Sequence, residues 1–544
     1  MTLTTPPHYE PAVLRRPVRY HRDASEVYRA LCLDGTDTPA DSVLLESVDI
    51  ESKRGVKSLA ILSASLRLTC TGHDVQVDIL SASGEPLAEL LASRLAEYRL
   101  PGDRLRFHFP PSTAMDEKER LLAPSTVLPL RLLQQEAGVH DGLLPFLAGG
   151  FAFDYLATFE ELPEVEEGPN TYPDYQFILA ETLLDIDHRS EEASLARVST
   201  LASSREADAA ELERISVLID AHSAPANPAA DAEYTGDVSR ETLHAEINLS
   251  DEQFRDVVRT LKGNIYEGDI YQVVPARTFS VDCPDAFAAY RQLRVSNPSP
   301  YMFYIHGAAA AGADDEAGES AYELFGASPE SNLKYTAESR TLQIYPAAGT
   351  QPRGLNPDGS LNRELDTRNE LLLRTDDKET AEHAMLVDLA RNDLARVAVP
   401  GTRAVDRLMQ VDRYSRVMHL VSIVSATLAQ DFDPLDAYRA CMNMGTLTGA
   451  PKIKAVELLR KAEGIRRGSY GGAVGYLAGN GDMDNCIVIR SAFVRHGRAH
   501  VQAGAGVVRD SVPQSEADET VHKAYAVLDA IAAAAAQELK VERA

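Results

Sequence analysis

The chain has 544 residues, 44% of them hydrophobic, and a formal net charge of −28. This length allows one large mixed domain or two to three ordinary ones. The acidic charge argues against nucleic acid or an anionic membrane as a partner, because phosphate binding depends on clustered Lys and Arg. The N-terminus lacks the apolar core of a signal peptide, and no apolar run is long enough to span a bilayer, which predicts a cytoplasmic protein.

Strand patterns dominate the first third of the chain. Apolar and β-branched residues alternate between turn residues in the segments 42–49, 57–72, 73–80 and 175–188. Residues 163–173 read as an irregular surface connection, and 203–221 as a polar helix. The Ala- and Pro-rich stretch 222–237 predicts a boundary between two halves of the chain.

The second half mixes helices and strands. Segment 307–320 predicts a hairpin tip, and 357–360 a second hairpin. Helical periodicity is clear over 378–396, and another helix is expected after Pro513. Because no regular βαβ rhythm is present, the pattern favours an α+β fold.

Five cysteines are widely separated, with no C-x-x-C pair and no histidine cluster. This spacing predicts reduced, partly buried thiols and argues against a disulfide frame or a zinc site. They are Cys32, Cys70, Cys283, Cys441 and Cys486.

Four glutamates, Glu330, Glu382, Glu516 and Glu519, stand in short low-charge segments rich in Gly, Ala and Ser. Carboxylates in such surroundings can bind a hard cation or donate a proton, because reduced hydration shifts their proton affinity. The alternatives are structural. Glu516 and Glu519 could stabilise a helix dipole, and Glu382 could belong to an ordinary solvated helix face.

Glu516, Glu519 and Lys523 would share one face of the helix after Pro513. The preceding glycines in VQAGAGVV allow backbone N–H groups to approach an anion. Glutamates from two helices, with water and substrate oxygens completing the shell, are what Mg²⁺ favours. The sequence therefore predicts a Mg²⁺ site rather than a site for a softer metal.

Arg490 ends a strand-like segment, and Tyr470 lies among glycines. An arginine fork suits a carboxylate ligand, although an arginine at a strand end is more often a surface residue. His419 is flanked by apolar residues, where a hydrogen-bonded structural role is the usual one.

Eight segments together resemble the chorismate-utilising enzymes and occur in that family's order. They are FGASPES, YPAAGTQPRG, KETAEHAMLVDLARNDLA, VDRYSRVMHLVS, GTLTGAPK, GSYGGAVGY, CIVIRSA and VQAGAGVVRDSVPQSEADET. In the N-terminal half, LLES (44–47) and NPSPYM (297–302) resemble the tryptophan-sensing elements of the anthranilate synthase component I branch. The resemblance implies large mixed β-sheet layers packed with helices. It divides the chain into a regulatory part (1–225), a catalytic part (240–525) and a C-terminal tail (526–544).

The resemblance also implies roles for individual residues. Glu382 and Glu519 would bind Mg²⁺, with Glu516 as a water-mediated ligand, and Glu330 would protonate the departing hydroxyl of chorismate. His419 matches a histidine implicated in pyruvate loss. Chorismate would be held by Gly349, Thr350, Tyr470, Arg490, Gly504, Ala505, Gly506 and Lys523. L-Tryptophan would be bound by Ser47, Pro300, Tyr301, Met302, Val474, Tyr476 and Cys486.

Two positions distinguish this branch from its relatives. Water-adding members carry a general-base lysine where this chain has Gln272, and many aminodeoxychorismate synthases carry a nucleophilic lysine where it has Ala348. Both departures indicate direct attack by ammonia, followed by pyruvate elimination to give anthranilate.

No cysteine lies in the G-x-C-x-G context of a glutamine amidotransferase. The resemblance therefore implies a separate amidotransferase subunit, in a heterotetramer of two large and two small subunits, or the use of free ammonium. Two alternatives stay open: an aminodeoxychorismate synthase component I, and a tryptophan-binding regulator without catalysis.

Overall fold

The computed structural model describes residues 9–34, 41–49, 54–222, 241–309, 320–356, 360–413 and 417–543. Within these ranges the strands of the first half are β1 (Tyr9–Val18), β2 (Ser42–Val48), β3 (Gly55–Thr71), β4 (Asp74–Ile79), β5 (Leu105–His108), β6 (Phe146–Phe151), β7 (Tyr175–Asp187) and β8 (Glu192–Leu201). Those of the second half are β9 (Thr242–Ile247), β10 (Gln272–Val273), β11 (Ala276–Asp282), β12 (Tyr301–Ala309), β13 (Ser320–Ser328), β14 (Ser331–Thr336), β15 (Thr341–Ile344), β16 (Ala347–Pro352), β17 (Ala404–Arg413), β18 (Val417–Thr427), β19 (Gly449–Ala450), β20 (Ala473–Ala478), β21 (Met483–Ile487), β22 (Ser491–Arg495), β23 (Arg498–Gly504) and β24 (Glu538–Val541).

The α-helices of the described ranges are α1 (Ala24–Tyr28), α2 (Glu85–Arg94), α3 (Glu117–Leu122), α4 (Leu128–Glu136), α5 (Arg205–Ala221), α6 (Asp251–Glu267), α7 (Ala286–Ser296), α8 (Arg363–Thr375), α9 (Asp377–Ala395), α10 (Pro434–Cys441), α11 (Lys452–Glu463) and α12 (Pro513–Ala534). Short 3₁₀ segments cover Ala82–Gly84, Ala96–Tyr98 and Phe153–Thr158, and a π turn covers Arg29–Leu33. The predicted strands and the helices of 203–221 and 378–396, as well as the helix beginning at Pro513, are confirmed.

Helix α9 starts where its sequence provides a cap. The Asp376 side chain accepts hydrogen bonds from the backbone N–H groups of Lys378 and Glu379, which have no partner inside the helix. Leu386, Val387, Ala390 and Leu394 are buried along one side. The cap and the apolar stripe together fix the start and the rotation of α9, and α9 carries Glu382.

Two sheets share the long strands β3 and β7, which pair with each other over most of their length. The first sheet has the order β1-β8-β7-β3-β2-β12-β13-β22-β23-β11-β9-β24. The second has the order β5-β4-β3-β7-β6-β20-β21-β14-β15-β18, with β16 and β17 also on β18. Only β9 and β24 pair in parallel among these contacts.

Three large apolar cores separate the layers. One lies between the two sheets and includes Ile61, Ile178 and Val474. A second packs α1, α5, α7 and α12 on the first sheet, and a third packs α2, α4, α9, α10 and α11 on the second. The result is a four-layer arrangement of helix, sheet, sheet and helix. It confirms the predicted α+β class with large sheet layers.

Two neighbouring connections pass from one sheet to the other. The β13–β14 connection carries Glu330, and the β21–β22 connection carries Arg490. The N–H of Ile487 donates to the carbonyl of Glu330 (3.0 Å), and the N–H of Ala327 donates to the carbonyl of Arg490 (3.1 Å). These backbone bonds hold the two crossovers side by side.

The predicted regulatory and catalytic parts contribute strands to the same sheets, since β2 pairs with β12 and β6 pairs with β20. Their boundary and the hairpin tips at 310–319 and 357–359 lie outside the described residues, so the division at 225 stays a prediction. The segment assigned to a C-terminal tail, 526–544, contains the end of α12 and strand β24, which pairs with β9.

All five cysteines are buried and free, as the sequence predicts.

Candidate active site

Glu330 is a buried acid at the first crossover, with 9% of its surface exposed. Burial raises the pKa of its carboxyl to about 8, and the opposing effects of the Thr446 hydroxyl, the Ala347 backbone, Lys523 and Arg490 are smaller. Since the charged form is disfavoured without water, the side chain is protonated at neutral pH. This is the state that a general acid requires.

Arg490 presents its guanidinium to the same interior. Desolvation lowers its pKa, while Tyr470, Glu519 and Glu330 act in the opposite direction. Within the described part of the chain, no carboxylate forms an ion pair with Arg490. Its backbone is left-handed, with φ at 51°, an uncommon conformation for a residue other than glycine. A partly buried guanidinium that pairs with no described carboxylate is suited to a carboxylate from a ligand.

Lys523, in α12, contacts the glycine turn, which is formed by residues 504–506. Its Nζ donates to the carbonyl oxygen of Gly504 (3.0 Å) and lies 2.6 Å from Oε1 of Glu519. Tyr470 adjoins the backbone of Gly504 and the Arg490 side chain. The predicted chorismate-binding residues of these segments therefore surround one space.

Gln272 links the same turn to α9. Its Nε2 donates to Oε1 of Glu382 at 2.9 Å. A Cβ atom at Gly506 would lie 3.2 Å from that Nε2 and 3.4 Å from that Oε1, so glycine leaves this gap open. Ala505 between the two glycines is buried. The turn, α9 and β10 thus meet at Glu382.

Four glutamates face each other across the gap at Gly506. Glu379 and Glu382 come from α9, and Glu516 and Glu519 come from α12. Burial, followed by the charge of Glu379, raises the pKa of Glu382 to about 6. The pKa of Glu516 is also raised, first by burial and then by Glu519, against a hydrogen bond from Ser511. Among the described residues, no three acidic, His or Cys side chains form a closed metal site. The carboxylates fit a cation that takes few protein ligands.

His419 lies beside Gly349, whose carbonyl oxygen is 3.2 Å from Nδ1 of the ring. The pKa of His419 is lowered to about 4, chiefly by burial, with Arg490 and Lys523 acting in the same direction and the Gly349 carbonyl against them. The ring is therefore neutral at pH 7. The contact with Gly349 is also what a structural histidine would make, so its catalytic role stays a prediction.

Strand β16 carries Gly349, Thr350 and Ala348. Its backbone pairs Thr350 with His419 and Ala348 with Leu420. Gly349 has a φ of 79°, and a Cβ there would lie 3.1 Å from Oε2 of Glu379. This places the β16 backbone against the carboxylate cluster, as the assignment of Gly349 and Thr350 to substrate binding requires.

Sequence reasoning missed Glu379 and Thr446. Glu379 precedes Glu382 by three residues and therefore shares its helix face, a spacing that could have revealed it. Burial raises its pKa, and Asp376 and Glu519 act in the same direction. No sequence signal places Thr446 next to Glu330, because the two residues meet only through the fold.

Most residues predicted for the inhibitor site line the core between the sheets. Val474 and Cys486 are opposite each other in β20 and β21 and are buried there, with Tyr301 and Tyr476 packed against them. Leu45 of β2 contacts this core. Ser47 is two residues further along the strand and therefore points to the same face. Pro300, half-buried, directly precedes β12.

Met302 faces the other way. Its side chain is buried in the core between the first sheet and its helices, and its backbone pairs with Glu46. Of Met302, only the main chain can therefore contribute to the face of the sheet that carries Ser47 and Tyr301. Asp484, absent from the prediction, accepts a hydrogen bond from the Tyr301 hydroxyl at 3.0 Å, and burial raises its pKa to about 6.

Residues 106–529 match the family described as chorismate binding enzyme. The chain belongs to this family. Anthranilate synthase component 1 of Escherichia coli (strain K12) is 49% identical over 524 residues, which cover 95% of this chain and 96% of that protein. The similarity to this relative therefore extends over nearly the whole chain and beyond the residues that match the family.

Solved structures show the same fold. Anthranilate synthase component I from Streptococcus pneumoniae TIGR4 superposes with a TM-score of 0.62 at 26% identity, covering 92% of this chain and 96% of that one. The menaquinone-specific isochorismate synthase from Escherichia coli superposes with a TM-score of 0.64 at 18% identity, covering 97% and 96%, and supports the fold alone.

Among the described helices, none combines the length and the apolar character needed to cross a membrane.

Proposed function

We propose that this chain is the large, chorismate-converting component of an anthranilate synthase. It adds ammonia at C2 of chorismate with loss of the C4 hydroxyl, and then eliminates pyruvate to form anthranilate, the first committed step of L-tryptophan biosynthesis. The observation that carries this proposal is the buried Glu330, whose raised pKa favours the protonated form, near the guanidinium of Arg490, which pairs with no described carboxylate. An acid and a carboxylate anchor are the two groups that the first half-reaction needs.

The residues divide the chemistry between them. Arg490 and Tyr470, with the glycine turn, hold a carboxylate of chorismate, and Glu330 donates its proton to the departing C4 oxygen. Gln272 bonds to Glu382 through its amide and has no basic group to activate water. Ammonia carries its own lone pair and needs no such activation. The methyl side chain of Ala348 provides no nucleophile for a covalent route.

Mg²⁺ is the proposed cofactor. Glu382 and Glu519 would hold it, with Glu516 and Glu379 near enough to contribute through water. When bound, it would neutralise the ring carboxylate of chorismate. Burial, and after it the neighbouring carboxylates, raise the pKa of Glu382 and of Glu516. A bound cation would offset both effects, which supports this assignment.

The proposed partner is a separate glutamine amidotransferase subunit, in a cytoplasmic heterotetramer of two large and two small subunits. The name of the Escherichia coli relative, component 1, supports a second component. Free ammonium at higher pH would replace the partner in an assay of this chain alone.

An assay with the purified chain, chorismate, Mg²⁺ and ammonium tests the reaction. Anthranilate fluorescence is the expected result. Accumulation of a non-aromatic amino product would favour an aminodeoxychorismate synthase instead. Tryptophan binding without any turnover of chorismate would favour a regulator.

Glu519→Gln tests the metal assignment. The variant keeps the size of the side chain and removes one negative charge, so both activity and affinity for Mg²⁺ should fall, with an apparent Mg²⁺ constant raised roughly 10- to 100-fold. Activity is measured across a Mg²⁺ titration. Asp529→Asn, on the exposed side of the same helix, is the matched control and should behave like wild type. An unchanged Mg²⁺ titration of Glu519→Gln would remove this residue from the metal site.

Feedback inhibition by L-tryptophan is the second part of the proposal. The candidate pocket and the active site share strand β21, in which Cys486 pairs with Ser331, the neighbour of Glu330. A ligand that shifts Tyr301 or Cys486 can thus move the crossover that holds the acid. Coupling of this kind is reciprocal, so chorismate should weaken tryptophan binding as well.

Ser47→Phe should relieve inhibition by tryptophan and leave uninhibited turnover within about twofold, because the larger ring fills the pocket without reaching the active site. Anthranilate formation is followed across a tryptophan titration. Met302→Leu is the control, since this volume-conserving change lies on the opposite face of β12 and should retain inhibition. Full inhibition of Ser47→Phe would count against the pocket.

A further inference from the structure

A small cavity adjoins Glu330. None of the residues predicted to bind chorismate lines it. The residues around it come from the β15–β16 connection, helix α9 and the loop before β19. They are Glu330, Ile344, Tyr345, Pro346, Leu386, Leu389, Ala390, Asp393, Met444, Gly445 and Thr446. The cavity therefore ends at the acid itself.

Its size decides what it can hold. The centre of a water molecule can move within about 20 Å³ of this cavity, and a single water needs roughly 10–15 Å³ on that measure. Chorismate does not fit, whereas one water does. Tyr345, Leu389 and Thr446 are only partly buried, so the cavity lies between the acid and the surface.

Thr446 supplies a polar group at the right place. Its hydroxyl oxygen is buried and makes no hydrogen bond of ordinary geometry with a described residue. Its contact with Glu330 is a weak side-chain hydrogen bond, which favours the ionised carboxylate but falls short of ordinary hydrogen-bond geometry and leaves the hydroxyl able to bind a water. A buried hydroxyl left open in this way is costly unless a water or a ligand satisfies it. With the Glu330 carboxyl, it offers two partners to one water, the minimum for an ordered site.

We infer that this cavity receives the water formed from the C4 hydroxyl and that Thr446 relays the proton that restores Glu330. The inference rests on the proposed function. Glu330 gives its proton to the C4 oxygen, the C4–O bond breaks, and the oxygen leaves as water. Nitrogen forms its bond to C2 and then loses one proton. That proton passes to solvent, and one proton from solvent replaces the one that Glu330 gave, reaching the carboxylate through the cavity water and Thr446.

Thr446→Val removes the hydroxyl and nearly keeps the shape, and Thr446→Ser keeps the hydroxyl. For Thr446→Val we expect kcat with ammonium to fall roughly tenfold, with a larger solvent deuterium isotope effect and a KM for chorismate within about twofold of wild type. The alkaline limb of its pH profile should move to higher pH, because the hydroxyl favours the ionised form of Glu330. Thr446→Ser should restore all three values.

Filling the cavity is the second test. Ala390→Leu should lower kcat as well, whereas Ala384→Leu, on the exposed side of the same helix, should not. Equal kcat and isotope effect in Thr446→Val and wild type would overturn the inference, and so would equal losses in the Val and Ser variants. A wild-type chain that forms no anthranilate would overturn the proposed function first. If the wild type forms anthranilate and both Thr446→Val and Ala390→Leu keep its kcat, only the role of the cavity would be overturned.

Discussion

Glu330→Gln is expected to lower kcat by about 10²- to 10⁴-fold, the usual contribution of a general acid. Glutamine keeps the shape of the side chain and its contacts but has no acidic proton for the C4 oxygen. The KM for chorismate should change far less, because Glu330 acts on the transition state and not on a carboxylate of the substrate. Steady-state kinetics with ammonium measure both constants.

The pH profile of the wild type gives an independent check. Since only protonated Glu330 is active and its pKa is about 8, kcat should fall as the pH rises through that value. Rates must be compared at a fixed concentration of free-base ammonia, because raising the pH also supplies more nucleophile. A profile with no loss of activity on the alkaline side would contradict the role of Glu330.

The same substitution should stabilise the fold at pH 8. A carboxyl whose folded pKa lies near 8, against an ordinary value of 4.5, binds more protons in the folded state, so stability is lost as the pH rises between those values. Glutamine removes this loss, and we expect a gain of roughly 1 to 4 kcal/mol. Chemical denaturation of both proteins at pH 5 and pH 8 tests the difference. An inactive but more stable variant would exclude misfolding as the cause.

Arg490→Lys should lower kcat/KM for chorismate roughly 10- to 100-fold, and Arg490→Ala roughly 10²- to 10⁴-fold. A hydrogen bond to a charged group contributes about 1.5–3 kcal/mol, and the guanidinium fork makes two of them with one carboxylate. Lysine keeps the charge but loses the paired geometry. Because no described carboxylate pairs with Arg490, its removal leaves no orphaned acid among the described residues.

Arg498→Ala is the matched control for this series. Arg498 lies eight residues on, is 38% exposed and pairs with Glu246 and Asp282. Its removal should leave kcat/KM within about twofold of wild type, as is usual for an exposed ion pair. If Arg490→Ala bound chorismate as well as wild type, another group would have to hold the carboxylate.

The sequence alone predicted the fold class, most strands and the α9 and α12 helices, because these depend on local periodicity, caps and prolines. The motifs also identified the acid, the arginine and the carboxylates. What local pattern could not provide is the order of strands in the sheets. The juxtaposition of Glu330 and Arg490 rests on hydrogen bonds between residues some 160 positions apart in the chain, and no periodicity encodes such a pairing.

The sequence also does not predict how side chains outside the motifs are oriented. The motif NPSPYM predicts one site for Tyr301 and Met302, yet adjacent residues in a strand point to opposite faces, and the two side chains enter different cores. Asp484 and Thr446 gain their surroundings from distant strands and loops. Their buried polar groups are visible only when the whole fold is assembled.

The sharing of sheets between the two halves has a consequence for any shortened form of this protein. Strands β12 and β20 each take one neighbour, β2 and β6, from the first 222 residues. Without those residues, both strands would become unpaired sheet edges with apolar side chains. The core between the sheets would also lose the side chains that the first half contributes to it. Exposed edges of this kind pair with other chains. A catalytic half expressed alone would therefore aggregate, even though it contains every residue assigned to catalysis.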